Sequence, residues 1–153
     1  MTRTDKRLRI CTVWLILNLC FIWGNSLLPG EVSGAFSDWV KSLLEALLPG
    51  GESGGPSGGL LRKAAHFTEF MSLGMCLCWL FSMLDQRRSL ALLYGTAAAC
   101  VDETIQLFVP DRGPSLRDVG IDTCGVLTGM ILLQIGYRLW KRKQTTNYGG
   151  NDS

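Results

Sequence analysis

In the segment RKAAHFTEF, His66 and Glu69 are three residues apart and so share one face of a helix. Asp102, Glu103 and Asp122 follow in two later segments that are otherwise apolar. An ionised group in hydrocarbon costs several kcal/mol unless it is paired or hydrated, so each of these needs a partner or a function. Three chemistries suit the set. His66 with Glu69 is a general base with an orienting carboxylate, and Asp102 and Glu103 extend that candidate catalytic group. His66 with Asp102, Glu103 and Asp122 is also a donor set for a divalent cation that activates water or polarises a phosphate; it suits magnesium, manganese or zinc alike. Alternatively, Arg62, Lys63, Arg112 and Arg117 face the phosphate of a lipid-linked head group, with carboxylates meeting hydroxyls or amines. Gln106, Ser115, Asp118 and Asp122 complete that candidate ligand-binding set. A plainer reading remains beside these: polar groups lock a small bundle, because lipid supplies no hydrophobic drive between helices. The weakness of that reading is excess, since gluing four helices does not require so many ionisable groups at one depth.

The elements that must position these residues are apolar runs near 8–28, 64–84, 89–108 and 119–140. Each is about the 20 residues that a helix needs to cross hydrocarbon. The runs are too long and continuous for the alternation of a barrel, so the expected fold is an all-α membrane protein with a four-transmembrane-helix bundle. The mean hydropathy of +0.20 is only mildly above that of a soluble domain, so it is the distribution that decides. Glu69 lies about five residues inside its span, Asp122 about four, and Asp102 and Glu103 five or six before Phe108. At 1.5 Å per residue all four fall roughly 6–9 Å below the same boundary, which makes them one layer.

Between the first two spans, Phe36, Trp39, Val40, Leu43, Leu44, Leu47 and Leu48 recur at three- and four-residue steps. This predicts an amphipathic helix over 35–48, lying in the outer interface or across the bundle as a cap. The PGGESGGPSGG stretch at 49–59 reads as a flexible linker, and 146–153 as a disordered tail behind a single domain over 1–145.

Net charge is +2, which gives no argument for nucleic acid, but the placement of the cations is informative. Arg3, Lys6, Arg7 and Arg9 precede the first span, Arg87 and Arg88 sit in the second connection, and Arg138, Lys141, Arg142 and Lys143 follow the last. By the excess of basic residues in cytoplasmic loops, both termini are expected in the cytoplasm, and the layer faces outward. A basic stretch before an apolar run also begins a signal peptide. Here the run is longer than a signal core and no small-x-small cleavage site precedes Asn25, so it is read as a span. Cys11, Cys20, Cys76, Cys78, Cys100 and Cys124 all fall inside the spans as small apolar filler. Cys76 and Cys78 point about 200° apart, too far to share a metal. Gly125 and Gly129 form a G-x-x-x-G that suits a close crossing inside the bundle.

KAAHFTEF at 63–70, DETIQLFVPDRGPSLRDVGIDTCGVLTG at 102–129 and WGNS at 23–26 together resemble the VanZ-like family of bacterial membrane proteins. The resemblance covers all four spans. It implies a multi-pass protein of the bacterial plasma membrane, in a family named for a member of a glycopeptide-resistance cluster that lowers susceptibility to teicoplanin. The signature residues it carries over are Lys63, His66, Glu69, Asp102, Glu103, Gln106, Arg112, Ser115, Asp118, Asp122 and Gly125. Asp122 stands where many relatives have asparagine. Teicoplanin acts outside the cytoplasm and carries an acyl chain. The resemblance therefore implies that an outward-opening layer meets membrane lipids or a lipid-linked envelope precursor. A membrane hydrolase or transferase acting on such a substrate, and a scaffold without ligand, are the alternatives.

Overall fold

The computed structural model describes residues 2–47 and 58–148, and among these there is no strand. Five helices follow one another: α1 (Arg3–Ser26), α2 (Gly30–Leu47), α3 (Gly58–Met83), α4 (Ser89–Gln106) and α5 (Leu116–Tyr148). Thr2 and Asp5 open α1 with a capping box, in which the Asp5 N–H donates to Thr2 Oγ1 at 3.2 Å and the Thr2 N–H to Asp5 Oδ2 at 2.9 Å. The turns before α4 and α5 hold Asp85 at φ 53° and Asp111 at φ 59°, a left-handed conformation that the short polar side chain of aspartate tolerates.

Contacts between helices set the direction of each. Cys11 meets Cys76, Asn18 meets Ser72 and Asn25 meets Glu69, so α1 and α3 run antiparallel. Gly125 faces Phe67 while Gly129 faces Met71, so α5 runs parallel to α3. Thr96 meets Thr123 and Glu103 meets Ser115, which sets α4 antiparallel to α5. The α3–α5 pairing is the most extensive in the bundle. Its cause is a set of absent side chains. A Cβ at Gly74 would strike the Val126 carbonyl, at Gly125 the Phe67 carbonyl and at Gly129 the Met71 carbonyl. The G-x-x-x-G therefore serves an internal crossing, with backbones in direct contact. Phe70, Leu73 and Val126 fill the space beside it, and Ala98 and Ala99 let α4 close against the same core.

Among the described residues, three helices are long and apolar enough to cross a membrane: Thr4–Ser26, Gly59–Met83 and Leu116–Gln144. Their outer faces remain apolar, with Ile10, Val13, Trp14, Leu17 and Phe21 exposed on α1 and Ile131, Leu132 and Ile135 on α5. The helix expected as the third of four spans, α4, does not qualify by the same length and composition, because Asp102, Glu103 and Gln106 occupy its last turns. Several boundaries also move. The amphipathic helix begins at Gly30 rather than 35, directly after the Pro29 turn, and packs on α3. The linker expected over 49–59 lies mostly outside the described residues, although Gly58 and Gly59 already belong to α3. The last helix continues to Tyr148, past the expected start of the tail at 146, and 149–153 lie outside the described residues.

Candidate functional site

The up-and-down order brings the end of α1, the start of α3, the end of α4 and the start of α5 to one end of the bundle. The expected layer forms there, with partners the sequence did not name. Ser26 Oγ, wholly buried at the last residue of α1, donates to Asp102 Oδ1 at 2.6 Å. Gln106 Nε2, one turn beyond Asp102 on α4, donates to Asp102 Oδ2 at 2.9 Å and to Glu103 Oε1 at 3.3 Å. Glu103 Oε2 accepts the backbone N–H of Ser115 at 2.7 Å, tying the end of α4 to the start of α5. Ser115, expected in the ligand-binding set, stands immediately before Leu116 at the start of α5. Its amide, rather than its hydroxyl, makes the site contact. Asn25 Nδ2 donates to Glu69 Oε1 at 2.9 Å.

His66 occupies the middle of this arrangement. Its Nδ1 is 3.8 Å from Glu69 Oε2 and 4.0 Å from Asp102 Oδ2, facing both but beyond hydrogen-bond distance of either. Neither His66 Nδ1 nor Glu69 Oε2 has a hydrogen-bond partner among the described residues, and Asp122 Oδ1, on a residue 1% exposed, is in the same position. One donor atom from each of His66, Asp102 and Asp122 lies within 4.8 Å of the other two. A cavity of about 70 Å³ opens beside them, lined by His66, Glu103, Gln106, Asp118 and Asp122 below and by Arg62, Lys63 and Arg112 above.

The cations separate into two groups. Lys63 Nζ pairs with Asp118 Oδ1 at 3.8 Å, and Arg112, in the turn between α4 and α5, reaches across to donate to the Asn25 carbonyl at 3.3 Å. Burial, followed by the neighbouring Arg62 guanidinium, lowers the pKa of Arg112, while the acidic groups around it oppose that shift. Its Nε is buried without an acceptor among the described residues. Arg117, also expected at the site, is exposed and does not line the cavity, because the first turn of α5 points it away.

The family profile described as VanZ/LLP1 matches residues 11–137 of the chain. The chain belongs to the VanZ/LLP1 family. No curated protein and no solved structure matches it. The VanZ/LLP1 match begins in α1 and ends in α5, so it spans every residue of the cavity and of its hydrogen-bond network. Sequence reasoning did not assign Asn25, Ser26 or Asp111 to the site. For Asn25 and Ser26 the signal was available: both are polar residues closing an apolar run at the depth of the carboxylate layer. Asp111 enters through the left-handed turn, which no periodicity reports.

Proposed function

We propose that this VanZ/LLP1 protein is a four-span protein of the bacterial plasma membrane whose cavity opens outward and binds the anionic head group of a lipid or lipid-linked envelope component. The observation that carries the reading is the buried Arg112 Nε, a cationic donor without an acceptor among the described residues, beside Arg62 on a cavity of about 70 Å³. Water needs roughly 10–15 Å³ of such space, so the cavity takes a few waters or one phosphate-sized group. Phe108, 83% exposed, and Leu116, 91% exposed, flank the same turn and would rest in the bilayer beside a ligand's acyl chains. Val32, Trp39 and Leu43 form an exposed stripe along α2, which suits a helix lying in the outer interface on that side. Helix directions and the basic residues at both termini and at 87–88 support this orientation, with α4 as the span whose final turns are polar because they line the site.

In lipid nanodiscs, the purified protein is expected to retain phosphatidylglycerol over phosphatidylcholine through detergent exchange. Arg112→Gln is expected to weaken that retention by about tenfold or more, the effect of losing one charge-assisted hydrogen bond. Equal retention of the two lipids by the unaltered protein would exclude the reading. In cells, the same cavity would contribute to teicoplanin tolerance by shielding a lipid-linked precursor, and Arg112→Gln at full membrane abundance would abolish that tolerance.

A second reading, a membrane-embedded hydrolase or transferase, is favoured by His66 facing Glu69 and Asp102 without being bonded to either. It predicts a changed lipid product in mass spectra of extracted membranes, where the binding reading predicts co-purified lipid that is unchanged.

A further inference from the structure

We infer that His66, Asp102 and Asp122 form a site for a divalent transition-metal ion at the floor of the cavity. The three residues come from α3, α4 and α5, so only the assembled bundle creates the site. Ligand bonds of about 2.0–2.2 Å place donor atoms about 3.3–3.6 Å apart around a tetrahedral ion. His66 Nδ1 and Asp102 Oδ2 stand 4.0 Å apart and the whole set lies within 4.8 Å, so an ion would draw the donors together by about 1 Å.

The decisive atom is Asp122 Oδ1. It is buried on a residue 1% exposed, lines the cavity and has no hydrogen-bond donor among the described residues. If Asp122 served only to hold α5 in place, a donor would face it, as Ser26 and Gln106 face Asp102 and the Ser115 amide faces Glu103. His66 Nδ1 is unpartnered in the same way. Asp102, by contrast, has both oxygens held in place by outer hydrogen bonds, the usual condition of a metal-ligating carboxylate, and each oxygen keeps a free lone pair.

Charge points the same way. Among the described residues, no arginine or lysine lies within 4.0 Å of a carboxylate oxygen of Glu69, Asp102, Glu103 or Asp122. Lys63 is engaged by Asp118, and Arg112 Nη2 is directed at a backbone carbonyl. A divalent ion supplies the positive charge this buried set lacks. One imidazole nitrogen with two carboxylate oxygens suits zinc or manganese better than magnesium, which prefers oxygen donors and retained waters. Three protein ligands also leave a position open on the cavity side for water or for a phosphate oxygen. The inference does not depend on the head-group reading, although a metal there would add an anchor for an anionic group above a floor of carboxylates.

The test uses the full chain in detergent, stripped with chelator and reloaded with zinc or manganese. We expect about one tightly held ion per chain by elemental analysis. Asp122→Asn and His66→Gln should each lower its affinity by at least about tenfold, while exposed Glu31→Gln leaves it unchanged. Elution as a single species shows which variants remain folded. X-ray absorption of the zinc-loaded unaltered protein supplies a measurement that needs no variant, and it should show a mixed nitrogen and oxygen shell. Absence of stoichiometric binding, an all-oxygen shell, or unchanged affinity in both folded variants would overturn the site. Metal binding without preference for anionic lipid would uphold the site and refute the head-group reading.

Discussion

Replacing Gly125 by alanine tests whether the site is held by the α3–α5 backbone contact. A Cβ at position 125 would lie 2.5 Å from the Phe67 carbonyl oxygen and 3.3 Å from the Met71 nitrogen. Close carbon–oxygen contacts in packed proteins lie at about 3.3–3.6 Å, so α5 must retreat by roughly 0.8–1.1 Å, and both obstacles are backbone that no rotamer change removes. Overpacking of this kind costs about 1–3 kcal/mol. For a chain of this size that is a fall in Tm of roughly 2–12 °C. Because Asp122 is less than one turn away, the same retreat draws it from His66 and Asp102, and ligand or metal affinity should fall together with stability. Gly136→Ala is the matched control on the same helix, since nothing lies within 4 Å of a Cβ there. Alanine's better helix propensity should leave it neutral or raise stability by up to about 1 kcal/mol. The assay is thermal unfolding in detergent, followed by loss of the monodisperse elution peak. A Gly125→Ala protein that unfolds at or above the temperature of Gly136→Ala would refute the reasoning.

Three further outcomes follow from the same contacts. Ser26→Ala removes the 2.6 Å hydrogen bond to Asp102, and with a charged acceptor it should cost about 1.5–3 kcal/mol, read as a lower unfolding temperature. Lys63→Ala removes a half-exposed pair at 3.8 Å, worth about 0–1 kcal/mol, so stability should hardly change while anion retention falls. Reporter domains fused at Ser153 and at Asp85 should both report the cytoplasm, and an exported signal from either would reverse the proposed orientation of the cavity.

Much of this architecture was legible from local properties. The apolar runs at 8–28, 64–84 and 119–140 correspond to α1, α3 and α5, because hydrophobicity and helical period are written residue by residue. The depth at which Asp102, Glu103 and Asp122 enter their helices is likewise a matter of counting residues, and the layer forms where the count puts it. The run at 89–108 was counted as a fourth span, and the polar last turns that build the site are what set it apart from the other three by composition. The start of α2 was misplaced because Glu31 and Ser33 break the apolar stripe, although Gly30 donates its N–H to the Pro110 carbonyl at 3.3 Å and so anchors the helix end by a contact far away in sequence.

What the sequence determined by itself, then, is a set of membrane-length helices carrying a polar layer at one end, since both follow from spacing along the chain. The tertiary structure alone decided which groups in that layer meet. Asn25 goes to Glu69 and Ser26 to Asp102, Lys63 closes on Asp118, Arg117 turns outward, and Asp122 and His66 are left facing a cavity with atoms unpartnered among the described residues. Those pairings depend on the rotation and separation of whole helices, and between α3 and α5 the separation is set by backbone contacts at Gly74, Gly125 and Gly129. A retreat of α5 there draws Asp118 from Lys63 and Asp122 from His66 while leaving each helix's own pattern unchanged.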